Sequence, residues 1–393
     1  MTTNKNHNSP NVPNLRFPEF QGEWKKTKFG DIATGFDYGM NAAAKNYDGV
    51  NKYIRITDID EASSTYTDKD IVSPDGILTD NYLVNNRDIL LARTGASTGK
   101  SYLYKQSDGK LYYAGFLIRA NVTTHDPYFV FSQLHTHRYW RWVSIMSARS
   151  GQPGINSQEY SSFPIYITSI EEESKIAKLL SLLDERIATQ NKIIDKLQSL
   201  IKGIVDCTIL RKGKNAIVGD VCSISEQIRA EANIDDIITV RLHGNGVCKS
   251  SAENLQLGAT QYYRRRAGQL IYGKQNFHNG AIGIVPISLD NGITSKDIPS
   301  FDIDEMKCNS VYLLAQLQSP QYYKPAEALT TGTGSKRLKE ETFLKMPIVL
   351  PNKREQDNIA VLIHRASMNL DHAKRLLELL SIQKQFLLRQ MFI

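Results

Sequence analysis

The segment Arg93 to Ser101, which reads RTGASTGKS, is the part of this chain that comes nearest to a phosphate-binding loop. It follows an apolar run that predicts a β-strand, as a P-loop does. A P-loop has four residues between its glycines, however, and Gly95 and Gly99 enclose only three. It also begins a helix, whereas the sequence after Ser101 predicts a hairpin. We therefore expect this loop to contact DNA phosphates through its amides and cations, and a P-loop-like nucleotide-binding protein remains an alternative.

Two other patterns that suggest chemistry have simpler interpretations. The run from Asp126 to Phe129, DPYF, lacks one proline of the Asp-Pro-Pro-Tyr loop of amino-methyltransferases, and it predicts a helix start with proline at the first position. The eight histidines show no metal-ligand spacing. The four cysteines form no C-x-x-C pair, and such sparse cysteines are typical of a reducing cytoplasm. The sequence therefore predicts no catalytic residue and no metal site.

Basic and amide-rich loops are the stronger candidates for a binding site. Arginine and lysine suit guanine edges, and asparagine and glutamine suit adenine edges. Each loop alone is equally well explained as a solvated turn, but the loops recur at matching places in both halves with different polar residues. We predict DNA contacts at Arg55, Arg93, Thr94, Lys100, Gln152, Asn156, Arg241, His243, Arg264, Arg265, Arg266, Lys274, Asn276, His278, Lys336 and Arg337.

The chain repeats itself at a shift of 183 positions. Without a gap, this shift brings Pro164 onto Pro347 and Ile176 onto Ile359, and it holds to the end of the chain. Weaker matches appear earlier in each half. Two copies of one pattern predict two related domains.

Two long segments predict a pair of helices. From Glu171 to about Cys207 there is no proline, and apolar residues recur at alternating steps of four and three, as in a coiled coil. A helix of these 37 residues would be about 55 Å long. We expect the two apolar seams to pack against each other in antiparallel fashion, with Gln190 and Lys384 as polar exceptions; the alternative is that each helix packs on its own domain. The predicted interface comprises Ile176, Leu180, Leu183, Ile187, Ile194, Leu197, Ile201, Ile359, Ile363, Leu370, Leu377 and Leu380.

Composition sets the outer limits of these interpretations. The chain has 393 residues, of which 41% are hydrophobic and 23% charged, as expected for two or three folded domains. The net charge of +7 favours a polyanionic partner, although solubility explains such a surplus equally well. The first 20 residues are polar and predict a flexible arm, not a signal peptide. No apolar stretch is long enough to predict a membrane span.

Four features in duplicated order resemble the specificity subunit of Type I restriction-modification systems. They are the run from Trp24 to Ile32, the run from Asp88 to Gly95, the strand that ends at Pro164 or Pro347, and the Glu-x-x-Ile-Ala pattern that begins each long helix. The resemblance covers nearly the whole chain beyond the N-terminal arm. The second half departs from the pattern because it lacks an equivalent of Asp88.

This resemblance implies an α+β fold: two mixed α/β target-recognition domains with pseudo-twofold symmetry, separated by two long antiparallel coiled-coil helices. The expected boundaries are an arm at 1–20, domains at 21–170 and 211–352, and spacer helices at 171–210 and 353–393.

The resemblance also implies the partners. Each domain would read one half of a bipartite, asymmetric DNA site, and the helices would set the gap and dock two methyltransferase subunits. S-adenosylmethionine, ATP and magnesium would belong to these and to the restriction subunits, and this chain would be a non-catalytic cytoplasmic protein without a cofactor. A coiled-coil adaptor that does not read DNA is the other alternative.

Overall fold

The computed structural model describes residues 11–148, 152–209, 214–250, 260–332 and 336–393. The chain divides into two compact units. Unit 1 comprises Met1–Asn191 and Leu376–Ile393, and unit 2 comprises Lys192–Arg375. Among the described residues, no helix combines the length and the apolar composition that a membrane span requires.

Unit 1 is a mixed α/β body. Its strands are β1 (Lys25–Lys28), β2 (Ala33–Tyr38), β3 (Ala43–Asn46), β4 (Lys52–Ile54), β5 (Val72–Asp75), β6 (Asp88–Ala92), β7 (Ser101–Leu103), β8 (Leu111–Tyr113), β9 (Leu117–Val122) and β10 (Pro164–Ile167). Its helices are α1 (Phe29–Ile32), α2 (Pro127–Gln133), α3 (His137–Met146), α4 (Ser157–Ser161) and the first part of α5 (Ile170–Ile209). The central sheet has the order β2-β9-β6-β7 and is antiparallel throughout.

Unit 2 is built from the remaining elements. Its strands are β11 (Lys214–Ile217), β12 (Cys222–Ile224), β13 (Arg229–Ala230), β14 (Ile238–Val240), β15 (Val247–Lys249), β16 (Tyr262–Arg264), β17 (Leu270–Tyr272), β18 (Ile282–Ile284), β19 (Ile293–Ser295), β20 (Ser300–Ile303) and β21 (Pro347–Leu350). Its helices are α6 (Ser310–Leu317), α7 (Pro320–Tyr323), α8 (Glu340–Leu344) and most of α9 (Lys353–Gln390), whose last turns belong to unit 1. The central antiparallel sheet has the order β12-β20-β17-β18.

The central sheets of the two units share one topology, and each unit combines strands and helices, which confirms the mixed α/β fold class that the resemblance implies. Strands β12, β20, β17 and β18 follow one another across the second sheet as β2, β9, β6 and β7 do across the first. An antiparallel pair closes each unit, β1 with β10 and β11 with β21. Helices α5 and α9 begin at Ile170 and Lys353, which are related by the same shift of 183.

In each unit, one glutamine makes two hydrogen bonds to the backbone of a single strand residue, and we call this arrangement the glutamine clamp. The two clamps are related by the same shift of 183. In unit 1, the Gln133 Nε2 donates to the carbonyl of Tyr166 at 2.7 Å, and the Tyr166 N–H donates to Gln133 Oε1 at 2.9 Å. In unit 2, Gln316 makes the same two hydrogen bonds to Val349, at 3.1 and 2.9 Å. Both glutamines are buried, so each clamp fixes a helix to the strand that leads into a long helix.

A second clamp lies at the start of each long helix. The buried carboxylate of Glu173 accepts the N–H groups of Asp126 and Thr168 at 3.0 and 3.1 Å. Burial raises the pKa of Glu173, and these hydrogen bonds oppose that shift only in part. At the corresponding position in unit 2, Gln356 Oε1 accepts the N–H of Asn309 at 2.8 Å.

In unit 1 the predicted seam packs as expected. Ile176, Leu180 and Leu183 of α5 form one buried cluster with Leu380 and Leu387 of α9. The two helix segments run antiparallel, because Asp184 pairs with Lys384 whereas Glu172, earlier in α5, is linked through Arg16 and Leu15 to Gln390, later in α9. Ile187 packs against the edge of this cluster. Leu377 is half-buried.

The polar exception Lys384 also lies in unit 1. Its ammonium group is 2.6 Å from the Asp184 carboxylate, and the Tyr128 hydroxyl donates to the same carboxylate.

In unit 2 the seam residues are buried less uniformly. Ile359 and Ile363 belong to the main core, and Ile204 packs against that core from α5. Ile194 is buried, as predicted. The remaining predicted seam residues of this unit are half-buried, namely Leu197, Ile201 and Leu370.

Two local predictions are wrong. The expected hairpin after Ser101 does not form, because β7 pairs with β6 whereas β8 pairs in parallel with β4. The predicted flexible arm is held in place over residues 11–20: the Leu15 N–H donates to the carbonyl of Gln390, and Arg16 forms an ion pair with the buried Glu172 at 2.7 Å. Residues 1–10 of the predicted arm lie outside the described residues.

Candidate nucleic-acid interface

The two loops of unit 1 that the sequence singled out meet in the structure. Thr94 forms a β-bridge with Gly154, and the Gly95 N–H donates to the carbonyl of Pro153 at 3.0 Å. The Ile155 N–H donates to the carbonyl of Arg93 at 2.9 Å. The loop after β6 and the loop before α4 therefore form one surface.

The glycines of this surface serve packing rather than phosphate binding. Gly99 has a φ of 93°, and a Cβ atom there would meet Val143 at 2.7 Å. The chain then enters strand β7 at Ser101, where a P-loop would begin a helix. The P-loop-like alternative is therefore not favoured.

Arg93 is the best-placed cation of this surface. Its guanidinium lies over the rings of Tyr38 and Phe116, at 4.8 and 6.0 Å from their centroids. Tyr38 and Phe116 are both exposed. Among the described residues, Arg93 forms no ion pair, and its buried Nε has no hydrogen-bond partner. The sequence analysis did not select the two aromatic residues, although an aromatic beside a basic loop is a signal that would have found them.

The neighbouring Arg93 affects the pKa of the Tyr38 hydroxyl. Burial would raise the pKa of this hydroxyl. The Ser157 N–H, which donates to that hydroxyl at 3.3 Å, and the positive charge of Arg93 outweigh burial, so the pKa of Tyr38 is lowered.

The other predicted cations of unit 1 are already paired. Arg55 bonds to Asp58 at 2.8 Å and to Asp70 at 3.0 Å, and these carboxylates raise its pKa. Lys100 lies 3.2 Å from Glu61. Because Asp70 and Glu61 are exposed, solvent screens these pairs and each adds little stability.

The two predicted amides of unit 1 differ. Gln152 is exposed and lies beside Gly95, so it remains a candidate. Asn156 is the N-cap of α4: its side-chain oxygen accepts the Glu159 N–H at 2.9 Å, and Glu159 accepts the N–H of Asn156 at 2.7 Å. This capping box gives Asn156 a structural role, and its contact with DNA stays a prediction.

Unit 2 repeats the arrangement with other side chains. The Leu338 N–H donates to the carbonyl of Lys274 at 2.9 Å, which is the counterpart of the bond between Ile155 and Arg93. Thr331 and Arg337 form a β-bridge across the neighbouring loop. Its residues 333–335 lie outside the described residues.

The hairpin between β14 and β15 joins this surface. The His243 N–H donates to the carbonyl of Asn279 at 2.7 Å. Arg241, His243 and Asn276 are exposed, as a contact role requires. The His278 Nδ1 is buried without a hydrogen-bond partner among the described residues.

Three cations of this second surface are paired with carboxylates. Lys274 lies 2.7 Å from Glu340, and Lys336 lies 3.1 Å from Glu327. Arg337 lies 3.2 Å from Asp297. The last two pairs are exposed on both sides, so their partners are easily exchanged for phosphates.

Arg265 is not a surface residue. Its side chain is fully buried and donates to the hydroxyls of Thr294 and Ser300 and to the carbonyl of Ile298, at 2.8 to 2.9 Å. Burial lowers its pKa to about 10. The prediction of Arg265 as a DNA contact is therefore wrong, whereas its neighbours Arg264 and Arg266 are exposed.

In the described part of the chain, no group of three or more His, Cys, Asp or Glu side chains is arranged to hold a metal ion.

Known proteins resemble this chain in sequence. Residues 21–199 match the family model described as the Type I restriction modification DNA specificity domain. The chain is 22% identical to the Type I restriction enzyme MjaVIII specificity subunit of Methanocaldococcus jannaschii, over 91% of this chain and 88% of that protein.

The fold agrees with this match. A crystal structure of the S subunit of a Type I restriction-modification system from M. genitalium superposes with a TM-score of 0.65 at 12% identity, covering 97% of this chain and 99% of that one. Residues 21–199 thus match the specificity domain of Type I restriction-modification systems, and the whole chain is similar to specificity subunits of such systems in sequence and in fold.

Proposed function

We propose that this chain reads a bipartite, asymmetric DNA site, one half with the paired loops of each unit. The observation that carries the proposal is the repeated backbone bond that joins the loop after β6 to the loop before α4, and the loop after β17 to the loop before α8. The frame is the same in both units, yet Arg93 stands where the other unit has Lys274. To read two different half-sites, the two units need different side chains on the same backbone arrangement.

Affinity and specificity would come from different groups. Exposed cations such as Arg264, Lys336 and Arg337 neutralise phosphates without reading sequence. The exposed amides Gln152 and Asn276 have the donors and acceptors that an adenine edge can pair with.

The long helices would set the gap between half-sites and dock two modification subunits. In unit 1, Leu379, Ile382 and Phe386 of α9 are more than half exposed, although they lie beside the buried seam. In unit 2, Leu200 and Leu362 are also more than half exposed. Apolar side chains in such rows are typical of surfaces that another protein covers. We place methylation, S-adenosylmethionine, ATP and magnesium in the partner subunits.

The test is a selection of bound duplexes from a random library by the full chain assembled with modification subunits, followed by salt-titrated binding. We expect two short sequence blocks separated by a fixed unread gap. A coiled-coil adaptor would select no sequence, and that result would refute the proposal.

A separate assay addresses chemistry. The purified chain alone is expected to transfer no methyl group and hydrolyse no ATP. Robust methyl transfer or ATP hydrolysis by the purified chain would indicate that the chain is itself an enzyme.

A further inference from the structure

Within unit 1, Arg93 differs from the other two predicted cations, Arg55 and Lys100, in having no described carboxylate beside it. Lys100 has Glu61 and Arg55 has Asp58 within unit 1. Its positional counterpart Lys274 is paired with Glu340 at 2.7 Å. The Arg93 side chain donates one hydrogen bond to the Tyr38 hydroxyl, and its terminal amino groups have further donors that an acceptor from outside can use.

The position of Arg93 is fixed before any ligand arrives. Its N–H donates to the carbonyl of Phe116 at 3.1 Å, and its own carbonyl accepts from Ile155 at 2.9 Å. The rings of Tyr38 and Phe116 hold the guanidinium plane. Binding therefore costs little side-chain entropy.

Arg93 lines a cavity of about 680 Å³. Tyr38, Met40, Tyr53 and Phe116 supply aromatic and apolar wall, and Arg55 lies in the same wall with its charge already compensated. The exposed rings of Tyr38 and Phe116 offer flat apolar surface beside the guanidinium, which a base can pack against and a phosphate group cannot.

From this geometry we infer that Arg93 reads a guanine in the half-site of unit 1, donating to O6 and N7 of the base. The inference rests on the proposed function and adds the residue and the base. A planar guanidinium in a fixed orientation presents a rigid fork of donors to the two acceptors of guanine, whereas the ammonium of a lysine is a point charge on a flexible stem. Because Lys274 is paired with Glu340, unit 2 would not read its half-site in this way.

The experiment uses the full chain, assembled with modification subunits, as wild type, Arg93→Ala and Arg93→Lys. Bound duplexes are selected from a random library, and the selected site is then synthesised with 7-deazaguanine, which lacks N7, at each guanine in turn. Arg119→Lys is the matched control, because Arg119 also lies over a ring, that of Tyr113, but pairs with Asp37 at 3.3 Å.

We expect one guanine position at which 7-deazaguanine lowers wild-type affinity on the order of tenfold. Arg93→Ala should lose the preference at that position alone and become insensitive to 7-deazaguanine there. Arg93→Lys, which keeps the charge over the rings, should also lose most of the discrimination. Arg119→Lys should retain it.

Two results would overturn the inference while leaving the proposed function intact. One is an unchanged preference in Arg93→Ala. The other is an equal loss on all sequences with a shallower salt dependence, which would identify a phosphate contact. If the wild-type complex selects no sequence at all, the proposed function and the inference both fail.

Discussion

Three consecutive arginines show how little residue type decides on its own. Arg264 ends β16 and is exposed, Arg265 turns inward and is fully buried, and Arg266 is exposed again. The run YYRRR indicates charge and aromatic character, but not which side chain faces the core. That choice depends on the hydroxyls of Thr294 and Ser300, which lie far along the chain and which no local pattern reveals.

Arg265→Ala is expected to destabilise unit 2. The substitution leaves the Ser300 hydroxyl without its buried donor, removes one of the two donors to the Ile298 carbonyl and opens a cavity. We therefore expect a loss of about 3 kcal/mol or more in the free energy of unfolding. Arg264→Ala should leave that free energy nearly unchanged. Urea unfolding of both variants checks this, and equal stability would contradict the structural role of Arg265.

Lys336→Ala combined with Arg337→Ala should weaken DNA binding through one half-site only. Exposed ion pairs with Glu327 and Asp297 contribute at most about 1 kcal/mol, so the fold should tolerate the change. Losing two phosphate contacts should reduce the slope of log affinity against log salt by about two. Lys307→Ala removes another exposed, paired cation of unit 2 and serves as control.

The measurement for this pair of substitutions is affinity for duplexes in which one half-site at a time is scrambled. Equal loss through both half-sites would argue against the assignment of this loop to one half.

At the level of elements, periodicity was the most reliable predictor. The heptad spacing identified both long helices and the residues that pack in unit 1, since burial of an apolar stripe follows directly from the helical repeat. The N-terminal residues 11–20 were missed because they are held by Glu172 and by the end of α9, which no local composition predicts. The glutamine clamps were missed for the same reason: Gln133 and Tyr166 are 33 positions apart.

Replacing Gln356, the glutamine at the start of α9, by the glutamate that unit 1 has at this position should destabilise the protein. Gln356→Glu places a carboxylate against the carbonyls of Pro351 and Lys307, to which the amide now donates at 2.9 and 3.2 Å. We expect a loss of about 2 kcal/mol or more at neutral pH. Glu355→Gln, one residue earlier and exposed, should cause almost no change.

The stability loss caused by Gln356→Glu should depend on pH. Burial against carbonyls raises the folded-state pKa of the introduced carboxyl above its unfolded value, so the folded state binds the proton more tightly. The deficit of Gln356→Glu should therefore be largest at neutral pH and should shrink as the pH falls through that raised pKa. Thermal unfolding over a pH series measures it, and a deficit independent of pH would contradict the argument.

For the whole molecule, the most informative finding is that both units contain a central sheet of the same topology. The sequence revealed this through the gap-free shift of 183, but it showed only weakly that the strands before Gly151 correspond. Loops that contact DNA vary, whereas the sheet order depends on buried apolar positions that many residues satisfy. The topology was therefore predictable where the frame is conserved between the halves, and the contact residues were not.

Inserting one heptad into α5 and one into α9 should alter the preferred gap and leave the two sequence blocks unchanged. Seven residues add about 10 Å to a helix and keep the apolar seam on the same face. Selection from a random library by the complex formed with the lengthened chain measures both quantities. A gap that stays the same would refute the role of the helices as a spacer.

The ion pair between Lys384 and Asp184 determines the register in which α9 packs along α5. Sliding α9 along α5 by one heptad would move Lys384 from Asp184 to the neighbourhood of Ala177 or Asn191, where its half-buried charge would lose its carboxylate. An orphaned charge in an apolar seam is penalised. The ion pair therefore fixes the register of the two helices, whereas apolar side chains alone would allow several registers.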